Sequence, residues 1–317
     1  MLRWLVLLCC LLAQTAGAAW PDKPIRFVIP SAPGGSPDVL MRVLLAEMSK
    51  QMGVAFVVEN KPGASFVIGT MDIVRAPADG YTLGYGNIVS LAVNRSLLET
   101  LPYDVERDLT LVSNIVRVYN MLAVSNSLPV RTVPELIAYA KRNPGRLTMA
   151  SSGNGTTGHL GGELFKSMTG TFIVHVPYRG SAQAINDLIG GQVQLMFDNV
   201  PSIGPHVKAG RVRGIAVSGP RRSPVFPEIP TVAEAGVPGY ETIAWGGVIG
   251  PARLPKEIVA RLHTEIRTAL ASPALQERYR NLDTEIDGGT PEQFLELTRS
   301  ETPKWAAVVK RSGARVD

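Results

Sequence analysis

The sequence is poor in cysteine, in aromatic residues and in clustered charge. Its 317 residues include two cysteines, Cys9 and Cys10, so the chain beyond residue 10 offers no disulfide, no thiolate nucleophile and no cysteine-ligated metal. Aromatic residues make up 6%, no stretch has five adjacent Lys or Arg, and no DNA- or RNA-binding motif occurs. We therefore expect no nucleic-acid partner, whereas a net charge of +5 suits a small anionic ligand.

A long apolar run is also absent beyond the first residues. Arg3 is followed by a ten-residue apolar run over residues 4–13, and residues 16–18 are small. This pattern predicts a secretory signal peptide over residues 1–18, cleaved after Ala18, because the run is too short to span a bilayer. No later run reaches 18 apolar residues, so we expect an exported, soluble protein.

A lipoprotein is the alternative for this segment, with Cys9 or Cys10 as its acylated first residue. Leu8 precedes Cys9, at the position where lipidation would need a small residue. The cleaved signal peptide therefore agrees better with the sequence.

Hydrophobic residues (45%), proline (24 residues) and glycine (31 residues) are abundant, which is typical of a loop-rich α/β protein with two domains. Apolar runs alternate with segments in which apolar residues recur every three or four positions, as Leu40, Leu44 and Met48 do. This alternation favours mainly parallel sheets flanked by helices. The predicted strands are 25–30, 55–59, 81–85, 121–124, 147–152, 172–176, 193–198 and 214–218. The predicted helices, three of which follow the last strand, are 38–52, 66–76, 132–142, 159–168, 182–188, 255–271, 274–282 and 291–311.

Three glycine-rich turns join a predicted strand to the next helix, at residues 31–38, 60–65 and 151–158. Glycine permits a sharp turn, and the free N–H groups of a helix's first turn favour an anion. In parallel α/β sheets such turns lie at the carboxyl ends of the strands, where ligands bind. One turn alone would be an ordinary connection, but two that face each other across a cleft would hold an anionic ligand.

The third turn contains Gly153-x-Gly155-x-x-Gly158, which matches the fingerprint of dinucleotide binding. That fingerprint needs an acidic residue at the end of the next strand, about 20 positions further on. This chain has Pro-Tyr-Arg at residues 177–179, so we expect no nucleotide cofactor.

The four histidines are His159, His175, His206 and His263, and none stands with another in a metal-ligand spacing. We therefore expect no metal and no other cofactor. His159 follows the third turn and either donates to an anion or satisfies a buried polar contact. His175 lies within a predicted strand and is interpreted as a core histidine.

Serine and aspartate residues near the turns each allow more than one interpretation of their role. Ser151 or Ser152 beside His159 could indicate a hydrolase, although no GxSxG motif is present and no third partner can be named. Asp198 ends an apolar strand at the expected cleft edge, where it either accepts a hydrogen bond from a ligand hydroxyl or ammonium or caps the following loop. Asp38 is predicted to be the N-cap of the first helix.

Taken together, the motifs resemble those of the Bug-type periplasmic solute-binding proteins of tripartite tricarboxylate transporters. The match covers nearly the whole chain after the predicted signal peptide, and the combination is specific where each motif alone is not. The motifs are Pro33-Gly34-Gly35-x-x-Asp38, Val58-Glu59-Asn60-Lys61-Pro62-Gly63-Ala64, Ala78-Asp79-Gly80-Tyr81-Thr82-Leu83, Glu135-Leu136-Ile137-Ala138-Tyr139-Ala140-Lys141, Gly155-x-x-x-His159-Leu160, His175-Val176-Pro177-Tyr178-Arg179-Gly180, Pro230-Thr231-Val232-Ala233-Glu234-Ala235-Gly236 and Trp245-Gly246.

The resemblance implies a two-lobed periplasmic binding protein of type II, in which each lobe is a mainly parallel sheet flanked by helices. Residues 19–121 and 246–317 would form lobe 1, and residues 122–245 would form lobe 2. The family commonly has an aromatic residue where this chain has Ser31, so here a hydroxyl replaces an apolar wall. Asn87, after a strand end, is added as a further polar contact. The ligand contacts that the resemblance implies are Ser31, Ala32, Gly34, Gly35, Ser151, Ser152, Thr156, Thr157, His159 and Asp198.

We interpret the chain as an extracytoplasmic solute-binding receptor, not an enzyme, that captures a small carboxylate between two lobes. The resemblance implies integral-membrane permease subunits of the transporter as partners, and we expect a monomer. One alternative is a ligand-sensing receptor for a two-component kinase, which a neighbouring kinase gene rather than a permease gene would indicate. The other alternative is a Ser/His hydrolase, which turnover of an ester would reveal.

Overall fold

The computed structural model describes residues 20–314, in which strands and helices alternate along the chain. The strands are apolar and rich in β-branched residues, as IRFVI in the first strand illustrates. In chain order the strands are β1 (Ile25–Ile29), β2 (Phe56–Asn60), β3 (Thr82–Asn87), β4 (Leu109–Val124), β5 (Thr148–Ser151), β6 (Val174–Pro177), β7 (Leu195–Asn199), β8 (Arg213–Val217), β9 (Ile243–Pro251) and β10 (Thr284–Ile286).

The helices begin and end at recognisable sequence signals. Gly53 ends the first helix in the left-handed conformation, and Thr290 caps the last helix with a capping box that includes Gln293. A π-helical turn over Val89–Val93 leads directly into the third helix. The helices are α1 (Ser36–Met52), α2 (Val67–Val74), α3 (Asn94–Leu97), α4 (Val105–Asp108), α5 (Val133–Arg142), α6 (Thr157–Thr169), α7 (Ser181–Ile189), α8 (Val200–Lys208), α9 (Lys256–Ala271), α10 (Pro273–Asn281) and α11 (Pro291–Ser312).

Parallel pairing brings the carboxyl ends of several strands to the same edge of a sheet. β1 lies between β2 and β3 and is parallel to both, and β5 lies parallel to β6 and β7. The strand order is β2-β1-β3-β9-β4-β7-β5-β6, with β8 and β10 also paired to β4. The turns that follow β1, β2, β5 and β6 therefore lie at carboxyl edges, where α/β proteins bind ligands.

The long strand β4 belongs to two groups of strands. Its segment Leu109–Tyr119 pairs with β9, whereas its segment Asn120–Val124 pairs with β7 and β8. We call the group that contains β1, β2, β3, β9 and β10 the first sheet, and the group that contains β5, β6, β7 and β8 the second sheet. The change of partner lies close to residue 121, where the sequence places the first lobe boundary; the division into lobes remains an interpretation.

Each sheet has its own apolar core. The apolar face of α1, which includes Leu44, packs with Phe27 of β1 and Leu262 of α9. In the second sheet Phe165 of α6 packs with Phe197 of β7. Among the helices beyond β9, α9 packs on α1 beside the first sheet, whereas α11 contacts β4, the π-helical turn and also α6 beside the second sheet.

Several elements differ from the sequence predictions. β4 begins at Leu109 rather than at residue 121, and β9 and β10 lie in the part of the chain where no strand is predicted. β9 contains Gly246 and Gly247, which weaken its strand signal; a Cβ on Gly247 would lie 1.9 Å from the carbonyl oxygen of Ser113 on β4. α8 was also missed, because its sequence VPSIGPHVK contains two prolines and a glycine.

The start of the chain lies outside the described residues. The predicted signal peptide over residues 1–18, its cleavage after Ala18 and the lipoprotein alternative at Cys9 or Cys10 therefore stay predictions. Between residues 20 and 314, no helix is both long enough and apolar enough to cross a membrane.

We predict that Gly158→Ala destabilises the fold. Gly158 lies in the first turn of α6, and an added Cβ would lie 2.2 Å from the backbone carbonyl oxygen of Phe197 on β7. α6 must then move away from β7, which should lower the free energy of unfolding by roughly 1–3 kcal/mol in a urea titration. Gly190→Ala is the matched control, because Gly190 has φ −74° and its Cβ would meet nothing closer than 3.4 Å. Equal stabilities of the two variants would contradict this packing.

Candidate functional site

Four strand-to-helix turns surround one cavity of about 670 Å³ between the first and the second sheet. The first sheet contributes the turn after β1 (Pro30–Pro37) and the turn after β2 (Pro62–Phe66). The second sheet contributes the turn after β5 (Ser152–Gly158) and the turn after β6 (Pro177–Ser181). The cavity therefore lies at the carboxyl edges of both sheets, in agreement with the position that the glycine-rich turns predict.

Most of the residues that the sequence suggests as ligand contacts line this cavity. Three do not line it, namely Gly34, Ser151 and His159. Proximity does not by itself test ligand binding, so the contacts remain predictions. The predicted residues that line the cavity are Ser31, Ala32, Gly35, Asn87, Ser152, Thr156, Thr157 and Asp198.

The turn after β1 is held by the side chain of Asp38. Its Oδ2 accepts a hydrogen bond from the backbone N–H of Gly34 at 3.0 Å, and its Oδ1 accepts from Arg42 and Asn60. The N-cap of α1 is Gly35, without a side-chain cap. The prediction that Asp38 is the N-cap is therefore wrong, because Asp38 lies three residues into the helix and closes the turn from there.

The turn after β5 is closed by side chains of its own. Thr156 is the N-cap of α6: its Oγ1 accepts from the N–H of His159 and donates to the carbonyl of Gly153. The N–H of Gly155 donates to Nδ1 of His159 at 3.0 Å, and the N–H of Gly153 donates to Ser151 Oγ. The amides of Gly153 and Gly155 are therefore bonded within the turn, and His159 fills a buried polar role.

Other predicted contacts also have protein partners. Thr157 Oγ1 donates to Asn120 Oδ1 at 3.2 Å, which fixes the start of α6 to β4. The side-chain oxygen of Asn87 accepts from the backbone N–H groups of Val89 and Ser90, both at 3.0 Å, and so holds the π-helical turn. These side chains shape the cavity through bonds within the protein.

Two residues that line the cavity each carry a buried polar atom without a partner among the described residues. These atoms are Oγ of Ser31 on the first sheet and Oδ2 of Asp198 at the end of β7. The other oxygen of Asp198 accepts a hydrogen bond from Ser181 Oγ at 3.1 Å, and burial raises the pKa of this carboxyl to about 7. Because an unpaired buried polar group costs free energy, each of these atoms favours a ligand that supplies a hydrogen bond.

Sequence reasoning missed the turn after β6. Ser181 bonds Asp198, and among the described residues that line the cavity Arg179 is the one with a cationic side chain. Gly180, directly before α7, was the available signal, since the same glycine-before-helix pattern marks the other turns. A hydrogen bond from Ser65 Oγ to the carbonyl of Asn154, at 3.0 Å, also joins the two sides of the cavity.

His159 and His175 form a stacked pair behind the turn after β5, with ring centroids 4.0 Å apart. Ser151 Oγ lies 2.7 Å from Nε2 of His175, so the suggested pairing of Ser151 with His159 is wrong. Ser151 is fully buried and does not line the cavity, so a substrate there would not reach it. The pair could not be recognised from the spacing of the two histidines in the sequence, because His159 lies on α6 and His175 on β6.

The stacked pair and Glu163 bring three potential metal-ligand atoms within 4.8 Å of one another. His159 Nδ1 accepts from Gly155, which assigns the proton of the neutral ring to Nε2, 3.8 Å from Glu163. A metal at Nε2 would displace that proton and break the bond to Gly155. Lys166 already pairs with Glu163 at 2.6 Å, so the arrangement fits a neutral histidine pair better than a metal site.

A second, larger cavity of about 810 Å³ lies elsewhere, on the side of β4 that faces α9 and the start of α11. Arg117 and Asp287, which line it, form an ion pair with each other at 2.9 Å. None of the glycine-rich turns reaches this cavity. The geometry therefore favours the cavity between the two sheets as the functional site.

We predict that His175→Gln makes the protein less sensitive to acid. Burial lowers the pKa of His159 to about 4 and that of His175 to about 3, with the neighbouring positive charges adding to the effect. A histidine with a lowered pKa binds fewer protons when folded, so it reduces stability as pH falls from about 6.5 towards 4. The stability of the variant relative to the natural protein should therefore rise over that range.

Urea titrations at several pH values measure this difference. His263→Gln on α9 is the control, because His263 lies on an element of the first core, apart from the stacked pair. A pH-independent difference between His175→Gln and the natural protein would contradict the buried neutral pair.

Comparison with known proteins agrees with this geometry. Residues 40–314 match the model of the tripartite tricarboxylate transporter family receptors. The protein BugT of Bordetella pertussis is 36% identical over 305 residues, which cover 96% of this chain and 94% of BugT.

Solved structures show the same architecture. Rpa4515 of R. palustris, solved with adipate, superposes with a TM-score of 0.91 at 41% identity, covering 94% of this chain and 100% of that one. MatC of Rhodopseudomonas palustris, solved with bound malate, has a TM-score of 0.87 at 28% identity, covering 92% and 100%. The chain therefore has the α/β fold of periplasmic binding proteins and belongs to the family of tripartite tricarboxylate transporter receptors, which are binding proteins rather than enzymes.

Proposed function

We propose that the protein is an extracytoplasmic receptor that captures a small carboxylate in the cavity between its two sheets and delivers it to a tripartite tricarboxylate-type transporter. The observation that carries this proposal is the pair of buried, unpartnered atoms Ser31 Oγ and Asp198 Oδ2, which belong to residues that line the same cavity from the two sheets. A ligand that hydrogen-bonds to both would join the two sheets.

The ligand class follows from the chemistry of the cavity and from the relatives. The cavity of about 670 Å³ has room for a chain of several carbon atoms with a carboxylate at each end. Arg179 at its rim favours a negative charge. The relatives solved with adipate and with malate hold small dicarboxylates, and we propose the same class here.

Capture would act as a conformational switch. Residues 19–121 and 246–317 would move as one lobe and residues 122–245 as the other, with β4 and the segment before β9 between them. Because the ligand contacts both lobes only when they are close together, it favours the closed state by its difference in affinity for the two states. The bond from Ser65 Oγ to the carbonyl of Asn154 is a direct contact between the two proposed lobes.

The closed surface would then be recognised by the integral-membrane permease subunits of the transporter. We propose that the receptor reaches the periplasm through the signal peptide at residues 1–18, is cleaved near Ala18 and acts as a monomer. The family supports a transporter partner, because its members are transporter receptors.

The first test is a thermal-shift screen of residues 19–317 with mono-, di- and tricarboxylates, amino acids and aromatic acids. A ligand at about 100 times its dissociation constant adds roughly 2.7 kcal/mol of stability, which shifts Tm by a few degrees for a chain of this size. We expect the largest shifts with dicarboxylates. A folded protein that responds to none of the acids would contradict the proposed function.

We predict that Gly35→Val abolishes most of the binding while the fold persists. Gly35 has φ −75°, and a Cβ there would stand 3.6 Å from the carbonyl of Ala32 and 3.9 Å from Ser181 Oγ, so the backbone accepts it without strain. The two methyl groups of valine would instead occupy cavity space between the two sheets. Calorimetric titration should show affinity at least tenfold weaker, with unliganded stability changed by about 0.5 kcal/mol or less.

Gly35→Ala, which adds a single carbon at ordinary contact distance, is the matched control and should bind more tightly than the valine variant. Unchanged affinity of Gly35→Val would remove the turn after β1 from the ligand site.

A further inference from the structure

Asp198 is the acidic side chain among the described residues that line the cavity, and it is 3% exposed. It stands at the end of β7, opposite Met121 of β4. Oδ1 accepts a hydrogen bond from Ser181 Oγ at 3.1 Å. Oδ2 is buried and has no partner among the described residues, so the protein fixes one oxygen of the group and leaves the other without a hydrogen bond.

No cation neutralises Asp198 within residues 20–314. β4, β5, α6, α7 and α8 pack against β7, and none of the titratable groups on these elements bonds to Asp198. Most of them have partners of their own, while His206 and Lys208 lie in the last turn of α8, away from its start at β7. The titratable groups of these elements are Arg117 (with Asp287) and Tyr119 (with Glu285) on β4, His159 (with Gly155), Glu163 and Lys166 (with each other) on α6, Asp187 (with Tyr178) on α7, and His206 and Lys208 on α8.

Arg179 lines the same cavity but is exposed, and no ion pair joins it to Asp198 in the described part of the chain. An ionised carboxylate at Asp198 would therefore be buried without a counter-ion. A ligand carboxylate placed against it would add a second negative charge in the same low-dielectric space. Keeping both carboxyl groups ionised there would cost a large free energy.

We propose that Asp198 binds the ligand as a neutral carboxylic acid, with its Oδ2–H donating a hydrogen bond to a carboxylate oxygen of the ligand. This inference rests on the proposed function, because it assumes that the ligand is a carboxylate. The proton stays on Asp198 in the complex. A receptor molecule that begins with Asp198 ionised takes one proton from solvent when it binds, and this proton forms the Oδ2–H bond. Ser31 Oγ provides a second donor from the opposite sheet.

The pH dependence follows directly. Burial raises the pKa of Asp198 to about 7 in the free protein, and a bound anion would raise it further. Below pH 7 the acid is already protonated, so the affinity is constant. Above pH 7 the free protein must first take up a proton, so the affinity should fall by up to tenfold per pH unit.

The test is calorimetric titration of residues 19–317 with adipate between pH 6.0 and 8.5, where adipate is mainly the dianion. Titrations in buffers of different ionisation enthalpy give the number of protons taken up. We expect affinity roughly tenfold or more weaker at pH 8.5 than at pH 6.0, and proton uptake that approaches one per ligand at pH 8.5.

Asp198→Asn is the decisive variant. An amide can accept from Ser181 through its oxygen and donate to the ligand through its nitrogen, so it imitates the neutral acid. The variant should bind adipate with an affinity close to that of the natural protein at pH 6.0, with no pH dependence and no proton uptake. Asp187→Asn is the control, because Asp187 does not line the cavity itself and its side chain holds the hydroxyl of Tyr178, and it should keep the full pH dependence.

The outcomes separate the two proposals. Loss of binding by Asp198→Asn at every pH, while it stays folded, would show that an ionised Asp198 accepts a bond from the ligand, and would overturn this inference alone. The inference would also be overturned if the natural protein bound adipate with the same affinity at every pH and took up no proton. No binding of adipate or of any acid in the screen above would overturn the proposed function and this inference with it.

Discussion

The site depends on one backbone feature, the pairing of β4 with both sheets. Leu109–Tyr119 bonds to β9 and Asn120–Val124 bonds to β7 and β8, so a single strand carries the hydrogen-bonded ladder from one sheet to the other. The turns after β1, β2, β5 and β6 lie around one cavity because this shared strand sets the two carboxyl edges opposite each other. The same strand supplies Asn120, which fixes the start of α6.

The polar groups around the cavity fall into two sets: those that hold the turns in place and those without a protein partner, which can bond to a ligand. Asp38, Thr156 and His159 bond to the backbone of their own turns and keep those turns in place. Ser31 Oγ and Asp198 Oδ2 have no such partner in the described part of the chain. Because unpaired buried atoms cost stability, a fold that keeps two of them at one cavity gives up stability that a bound ligand would restore.

Much of this could be predicted from the sequence, and the failures have physical reasons. Periodicity gave the main strands and helices, and the glycine-rich turns gave the position of the cavity. β9 was missed because close packing on β4 requires glycine in place of β-branched residues, and the His159–His175 stack was missed because contacts between a helix and a strand leave no fixed spacing. Whether Asp198 Oδ2 finds a hydrogen-bond partner is decided by all the residues that the fold places around it. The sequence alone could therefore predict only that Asp198 lies at the cleft edge.

The most direct test of this account is a crystal structure of residues 19–317 with the acid that gives the largest thermal shift. The account predicts density for the acid between the two sheets, with carboxylate oxygens at hydrogen-bond distance from Ser31 Oγ and Asp198 Oδ2. A ligand seated instead in the larger cavity beside α9 and α11, or one that touches the turns of a single sheet, would contradict it.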